Sequence, residues 1–114
     1  MGRSARIREQ LIVSFRAELN EHIQTMTNGL LAFEEGRVPS EERRARLETI
    51  FRAAHSLKGA ARAVNVSVVE QLAHSIENVL DAIQRDAVAL TPPLFTACYR
   101  ALDAVQAVQA AYEA

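Results

Sequence analysis

The chain has little of several residue types, and each shortage excludes something. Its 114 residues include one cysteine, Cys98, so no internal disulfide can form and a reducing cytoplasm is expected. Aromatic residues make up 5% and tryptophan is absent, while alanine dominates the apolar residues, which favours closely packed helices over a β-sandwich. No apolar run is long enough to cross a bilayer, and the first six residues lack the apolar segment of a signal peptide.

Neither sign of charge is in excess. Thirteen basic and 14 acidic residues give a net charge of -1, and the two signs are interspersed. There is no basic patch with interleaved aromatics, so nucleic acid is not an expected partner. The chain also lacks a glycine-rich phosphate loop and a carboxylate cluster for magnesium. Its length predicts one domain over residues 1–114, which buries roughly two thirds of its unfolded surface.

Apolar residues recur at steps of three or four throughout, which predicts four amphipathic helices. The first ends at a Gly36 C-cap. The second runs from an N-cap at Ser40 to about Val64. A capping box over residues 67–70 opens the third, and Thr91 followed by proline opens the fourth after a loop over residues 86–90. The predicted inward positions are Ile7, Leu11, Phe15, Leu19, Ile23, Met26, Leu30 and Phe33; Leu47, Ile50, Phe51, Ala54, Leu57, Ala61 and Val64; Val68, Leu72, Ile76, Val79, Leu80 and Ile83; and Leu94, Phe95, Cys98, Leu102, Val105 and Tyr112.

Short connections between these helices predict an all-α fold, an antiparallel four-helix bundle in up-down-up-down order. The turn between the second and third helices has only about two residues, Asn65 and Val66. Asparagine is one of the few residues that tolerates the left-handed conformation such a turn needs. The second and third helices must therefore lie side by side and antiparallel.

A polar group interrupts the apolar pattern of the second helix at residues 55–61, which read HSLKGAA. His55 and Lys58 are one turn apart, so their side chains project from the same face. Gly59 costs about 1 kcal/mol in a helix interior relative to alanine. Its presence suggests that something approaches the backbone closely at this point.

A second polar pair, His74 and Glu77, lies one turn apart on the third helix. Residues 55 and 74 are about ten positions on either side of the turn, so an antiparallel hairpin places them at similar height. His55, Lys58, His74 and Glu77 are therefore expected to converge on the seam between the two helices.

These residue types suit a histidine that carries a phosphoryl group. A carboxylate that accepts the N–H of one ring nitrogen fixes the tautomer and makes the other nitrogen a better nucleophile, and Glu77 is the candidate for this role toward His55. Lys58 offers a positive charge to phosphate oxygens. His74 could donate a hydrogen bond to the carboxylate or to the phosphoryl group, and Gly59 would leave room for a partner's active-site loop.

Residues 55–61, with LAHSIENVL at 72–80, resemble the histidine phosphotransfer (HPt) domain of CheA-type chemotaxis histidine kinases. The resemblance implies a helical fold with a core four-helix bundle and often an extra C-terminal helix. It implies that His55 is phosphorylated, that Glu77 hydrogen-bonds its ring, and that Lys58 and His74 belong to the surrounding polar network. Asn65 departs from the family, which often has glycine there; the difference should affect turn stability rather than chemistry.

The resemblance also implies the partners. Such domains receive phosphate from the kinase's own ATP-binding domain and pass it to an aspartate of a response regulator. ATP and magnesium are bound by those partner domains, so no cofactor is expected in this one. The domain would be a phosphoryl carrier, whereas the full-length protein it resembles is a histidine kinase. The chain is expected to be the N-terminal part of such a kinase or a stand-alone module, cytoplasmic and not membrane-bound.

Two other functions stay open. His55, His74 and Glu77 could bind zinc in a His₂Glu arrangement, although zinc-binding helices usually carry two histidines one turn apart. Alternatively, the chain could be a structural or adaptor bundle without phosphotransfer. Among the remaining residues, His22 is expected to be partly buried with a structural role, and Cys98 to lie in the core. The arginine-rich run at residues 43–46 is expected to be a solvated face that could also steer an acidic response regulator.

Overall fold

The computed structural model describes residues 2–113 of the chain. It contains four α-helices: α1 (Arg3–Glu34), α2 (Arg43–Ala63), α3 (Ser67–Gln84) and α4 (Pro92–Glu113), with a 3-10 turn at Ser40–Glu42. The described residues include no β-strand. The prediction of an all-α antiparallel four-helix bundle is therefore confirmed.

The helices run up-down-up-down, and α2 makes the most extensive contacts, against α3 and α1. α4 packs less closely against α3 and α1. The molecule measures 55 × 23 × 21 Å, and the long dimension reflects α1, whose 32 residues span about 48 Å at 1.5 Å per residue. One core of leucine, isoleucine, valine, alanine and phenylalanine side chains runs through all four helices.

Left-handed residues end three of the helices. Gly36 (φ +69°) ends α1 as predicted, and the Arg37 N–H donates to the Ala32 carbonyl at 2.9 Å; the C-cap position itself is Glu35 and the glycine follows it. Asn65 (φ +60°) makes the predicted tight turn after α2. Asp86 (φ +58°) plays the same part after α3, a role that the sequence did not indicate because aspartate adopts this conformation less often than glycine.

Two predicted helix starts are wrong. Ser40 is not the N-cap of α2, because it lies within the 3-10 turn and Glu42 occupies the N-cap position. Ser67 does not form a capping box, because it is already the first residue of α3 and Val66 occupies the N-cap position without a side-chain hydrogen bond. The short turn leaves no residue between Val66 and the helix, so the serine is one position too late to cap it. The predicted start of α4 at Pro92 is confirmed.

The predicted core is correct at the centre of the bundle and wrong at its edges. Ile7 and Leu11 are exposed, because α1 is longer than α2 and its first turns lie beside the end of α2 rather than within the bundle. Tyr112 is also exposed, and Gln109 is buried on that helix instead. Cys98 is buried as predicted, and burial raises the pKa of its thiol.

The buried face of α3 agrees with the predicted stripe at Ile76, Leu80 and Ile83 and is offset by one residue near the start of the helix. Val68 is exposed whereas Val69 is buried, and Leu72 and Val79 are only partly buried. The residues that α3 buries are Val69, Ala73, Ile76, Glu77, Leu80 and Ile83. This offset matters for function because it turns Glu77 toward α2.

A close approach between α1 and α2 occurs at Gly29. A Cβ atom placed there would lie 2.5 Å from Cγ1 of Ile50, which is nearer than side chains tolerate. This glycine therefore lets the two helices approach each other, and it fixes α2 against α1. At the last residue of α1, the Tyr99 hydroxyl donates a hydrogen bond to Glu34 (3.1 Å), while burial and the Glu34 carboxylate raise the pKa of Tyr99 to about 12.

Candidate functional site

Beside the contact between Lys58 and Glu77, three polar side-chain pairs cross the seam between α2 and α3 at matching distances from the turn. Gln84 donates to Glu48 at 2.8 Å, His55 meets Glu77 at 2.5 Å, and Arg62 lies 3.1 Å from Glu70. The members of each pair are equally far from Val66 along the chain, at 18, 11 and 4 residues. Successive pairs are therefore seven residues, or about 10.5 Å, apart, and the tight turn sets the register of all three.

Glu77 is the centre of the middle pair. Its Oε2 lies 2.5 Å from Nδ1 of His55 and its Oε1 accepts a hydrogen bond from Nζ of Lys58 at 2.8 Å. The Glu77 side chain is 11% exposed, whereas the His55 side chain is 64% exposed. A buried carboxylate thus holds one edge of an exposed imidazole, and the predicted contact between Glu77 and His55 is present in the structure.

Two opposing effects act on the charge of Glu77. Burial raises its pKa, but the hydrogen bonds from Lys58 and His55 outweigh burial, and the net pKa lies below the ordinary value. The carboxylate is therefore ionised at neutral pH and accepts from both neighbours. An ionised acceptor at Nδ1 requires the ring to carry a proton there, and it selects the tautomer in which Nε2 is unprotonated.

The other edge of the His55 ring faces outward. Among residues 2–113, no side chain or backbone group bonds Nε2. The ring lies nearly parallel to that of Phe51, with an interplanar angle of 13° and 6.4 Å between centroids. Phe51 was predicted only as an inward residue, although its position four residues before His55 allows this contact. The contact shows that the imidazole leans back over the preceding turn of α2.

Gly59 lies one turn beyond His55 on the exposed face of α2. A Cβ atom placed there would meet nothing within 4 Å, so helix packing does not explain this glycine. The space beside it is open to another molecule. The predicted role of Gly59 in partner access is consistent with this open space and stays a prediction.

His74 is exposed on α3, one turn before Glu77. In the part of the chain that the structure describes, it makes no hydrogen bond or ion pair with His55, Lys58 or Glu77. The reason is the position of each residue along the helices: Glu77, and not His74, lies opposite His55 across the seam. Its predicted contact with the phosphoryl group stays a prediction.

The structure also bears on the zinc alternative. Within residues 2–113, no three histidine, cysteine, aspartate or glutamate side chains are grouped so that they could hold a metal ion. His55 and Glu77 come together, but His74 does not join them. His22, for which a structural role was predicted, is partly buried, and its Nε2 is 3.7 Å from Glu18.

The chain also resembles known proteins in sequence. The family model described as Hpt domain matches residues 10–111. The chain belongs to the Hpt domain family. The function of this Hpt domain is therefore histidine phosphotransfer, and the HSLKG and HSIEN segments that suggested it form the two sides of the seam.

Individual relatives agree with the family. This Hpt domain is 35% identical over 94 residues to the chemotaxis protein CheA of Bacillus subtilis, which covers 82% of this chain and 13% of that protein. It is 27% identical over 100 residues to CheA of Treponema pallidum, covering 88% of this chain and 12% of the relative. The chain thus spans about one eighth of the curated relatives it matches.

A solved structure has the same fold. The CheA phosphotransferase domain from Thermotoga maritima matches with a TM-score of 0.81 at 26% identity, covering 94% of this chain and 97% of that one. No helix within residues 2–113 of this Hpt domain has the length and apolar character needed to cross a membrane.

Proposed function

We propose that His55 accepts the phosphoryl group and that Nε2 is its nucleophilic atom. The single observation that carries this proposal is the contact between Nδ1 of His55 and Glu77 at 2.5 Å. Because Glu77 occupies Nδ1, the lone pair on Nε2 is left at the exposed edge of the ring. His55 is also the histidine that heads the HSLKG segment of the family.

The transfer step balances without a proton leaving the ring. The lone pair of Nε2 forms a bond to the γ-phosphorus of ATP, and the bond from that phosphorus to the bridging oxygen breaks with its electrons going to ADP. The ring keeps its Nδ1 proton and becomes positively charged, so its hydrogen bond to the Glu77 carboxylate becomes an ion pair and strengthens. In the onward transfer, a carboxylate oxygen of the acceptor forms a bond to phosphorus, and the electrons of the N–P bond return to Nε2.

Glu77 and Lys58 act on this step through position and charge. Glu77 holds the tautomer and stabilises the cationic ring. Lys58 shares Glu77 with His55, and its ammonium group partly offsets the negative charge of the incoming phosphoryl group. Gly59 leaves room for the partner's active-site loop, and His74 is exposed where a bound partner could meet it.

The relatives support a proposal for the partners. We propose that the donor is the ATP-binding domain of a CheA-type kinase and that the acceptor is an aspartate of a response-regulator receiver domain, in chemotaxis or a related pathway. Those domains would bind ATP and magnesium, and this domain would act as carrier in the cytoplasm. The relatives are several times longer, so the chain fits the phosphotransfer part of such a kinase.

The test is phosphoryl labelling of the purified domain by a CheA-type kinase core with labelled ATP. Wild-type protein should become labelled, and the product should be stable in alkali and labile in acid, as a phosphohistidine is. His55→Gln should abolish labelling, because the amide has no nucleophilic nitrogen. Helical content and thermal midpoint should stay nearly unchanged, since the His55 side chain is largely exposed.

His74→Gln is the matched control, because it removes the other exposed histidine of the seam and leaves His55 in place. It should still be labelled. Labelling of the His55→Gln variant at the wild-type rate would contradict the assignment, and loss of label only in His74→Gln would transfer the acceptor role to that residue.

A further inference from the structure

Phosphorylation brings a charge that the resting site is not arranged to neutralise. A phosphoryl group carries about two negative charges at neutral pH. The Lys58 ammonium group is already bonded to Glu77 at 2.8 Å, and the positive ring is balanced by the same carboxylate. The phosphoryl oxygens on Nε2 therefore need a cation from elsewhere on the exposed face.

Arg52 is the arginine placed to supply it. It lies one turn before His55 on α2, and side chains three residues apart on a helix are neighbours, with about 5–6 Å between their Cβ atoms. The parallel contact between Phe51 and the His55 ring shows that the imidazole leans toward this turn. An arginine side chain one turn before His55 is long enough to reach the exposed Nε2 edge of the ring.

Arg52 is also held weakly in the resting protein. Its Nε donates to Oε1 of Glu48 at 2.9 Å, and its side chain is 77% exposed. Exposed ion pairs of this kind contribute little to stability because solvent screens them. An arginine can exchange such a partner for a phosphoryl group, which its guanidinium binds through two parallel hydrogen bonds.

Glu48 keeps a second partner when Arg52 leaves. Its Oε2 accepts a hydrogen bond from Gln84 of α3 at 2.8 Å. The hydrogen bonds from Gln84 and Arg52 hold the pKa of Glu48 below its ordinary value. Because Gln84 remains, departure of Arg52 does not leave the carboxylate without a protein partner.

We infer that Arg52 is the phosphoryl-binding residue of this domain: it pairs with Glu48 before phosphorylation and turns to the phosphoryl oxygens on His55 afterwards. This inference rests on the proposed role of His55. It assigns to Arg52 the task of stabilising the phosphorylated form, which Lys58 cannot fulfil alone while it is bound to Glu77.

The test uses a small donor in place of the kinase, so that partner docking does not enter. Phosphoramidate transfers its phosphoryl group to Nε2, and the bond to nitrogen breaks with release of ammonia. At a fixed ratio of phosphoramidate to ammonia, phosphorus NMR gives the ratio of phosphorylated to free His55. Arg52→Gln should lower this ratio about three- to tenfold, in the range of an exposed charge-assisted hydrogen bond. Arg52→Lys should restore part of the ratio, because lysine keeps the positive charge but cannot form the two parallel hydrogen bonds of a guanidinium group.

The matched control is Arg62→Gln. Arg62 is equally exposed, at 80%, and is paired with Glu70, but it lies seven residues from His55, or about 10.5 Å along the helix. The ratio of phosphorylated to free His55 should stay at the wild-type value in this variant. Thermal unfolding of all variants checks that the bundle is unchanged.

A double-mutant cycle separates direct binding from a general effect of charge. Glu48→Gln removes the carboxylate that competes for Arg52, so the phosphorylated fraction should rise. In the Arg52→Gln background the Glu48→Gln change should have no effect, if it acts by freeing Arg52 from Glu48. A rise of equal size in both backgrounds would show that only the overall charge matters, and would overturn the inference.

The outcomes separate this inference from the proposed function. Phosphorylation of wild type at His55 with equal ratios for Arg52→Gln and Arg62→Gln would reject the role of Arg52 and leave the acceptor role of His55 intact. Absence of phosphohistidine in wild type with both phosphoramidate and the kinase core would reject both. A loss confined to Arg52→Gln, partly restored by lysine, establishes the inference.

Discussion

At the scale of single residues, the site depends on Glu77 and His55, which differ in burial. Glu77 is buried and has two fixed partners, whereas His55 is mostly exposed and is held at one nitrogen only. The carboxylate therefore needs no rearrangement if the ring gains charge, and Nε2, the proposed nucleophile, stays accessible. A carrier that must meet a donor and an acceptor in turn requires this combination.

Gly59 allows a prediction in which stability and transfer change in opposite directions. Gly59→Ala should stabilise the domain by about 1 kcal/mol, because alanine is the better helix former and its Cβ would meet nothing within 4 Å. If a partner's loop uses the open space, the rate of phosphoryl transfer from the kinase should fall. Urea unfolding and the labelling rate measure the two effects.

Ser56→Ala is the control for Gly59→Ala, because Ser56 is another exposed position next to His55 and the change adds no bulk. It should keep the wild-type labelling rate. An unchanged rate in Gly59→Ala, together with the gain in stability, would mean that the glycine has no role in partner access.

At the scale of helices, the sequence was sufficient for the four elements, the left-handed Gly36 and Asn65, and the pairing of α2 with α3. It was insufficient for the faces of the helices. Val68 and Val69 are adjacent and chemically identical, so hydropathy cannot decide which one is buried. The height of His55 along the seam was predicted to within a turn, but whether His74 or Glu77 lies opposite depends on the same rotation of α3.

Contacts such as the Phe51 ring beside His55, or Gln84 beside Glu48, could not be predicted because each depends on a side-chain conformation rather than on a pattern. The exposure of Ile7 and Leu11 was missed for another reason. The helical period continues along α1 after its neighbours have ended, so a regular pattern does not by itself mean burial.

The packing of α2 and α1 gives a prediction at this scale. Leu57→Ala should lower the free energy of unfolding by about 2–5 kcal/mol, because Leu57 is completely buried in the core and its loss leaves a cavity. Leu11→Ala, which removes the same atoms from an exposed position, should change it by less than about 0.5 kcal/mol. Urea denaturation of both variants provides the comparison, and equal losses would show that the first turns of α1 are covered in solution.

At the scale of the whole molecule, Glu77 links the site to the stability of the bundle. Its pKa is lowered from 4.5 in the folded protein, so the folded state favours the ionised carboxylate. The stabilisation it provides is complete above pH 4.5 and is lost as the pH falls through the lower folded value. Acidification below 4.5 should therefore weaken the fold through this group.

The measurement is the unfolding free energy of wild type and Glu77→Gln as a function of pH. The difference between the two proteins should be largest above pH 4.5 and should shrink at lower pH, because glutamine does not titrate. A difference that grows on acidification would show that burial of the carboxylate, rather than its bonds to Lys58 and His55, dominates.

The short turn at residues 64–66, between the end of α2 and the start of α3, has a consequence beyond connecting two helices. Because His55 and Glu77 are each eleven residues from Val66, the length of this turn determines which residue of α3 faces His55. One residue inserted in α3 before Glu77 would rotate Glu77 by about 100° about the helix axis and advance it by about 1.5 Å, so Glu77 would no longer face His55. The contact between His55 and Glu77 is thus tied to a position counted from a turn eleven residues away.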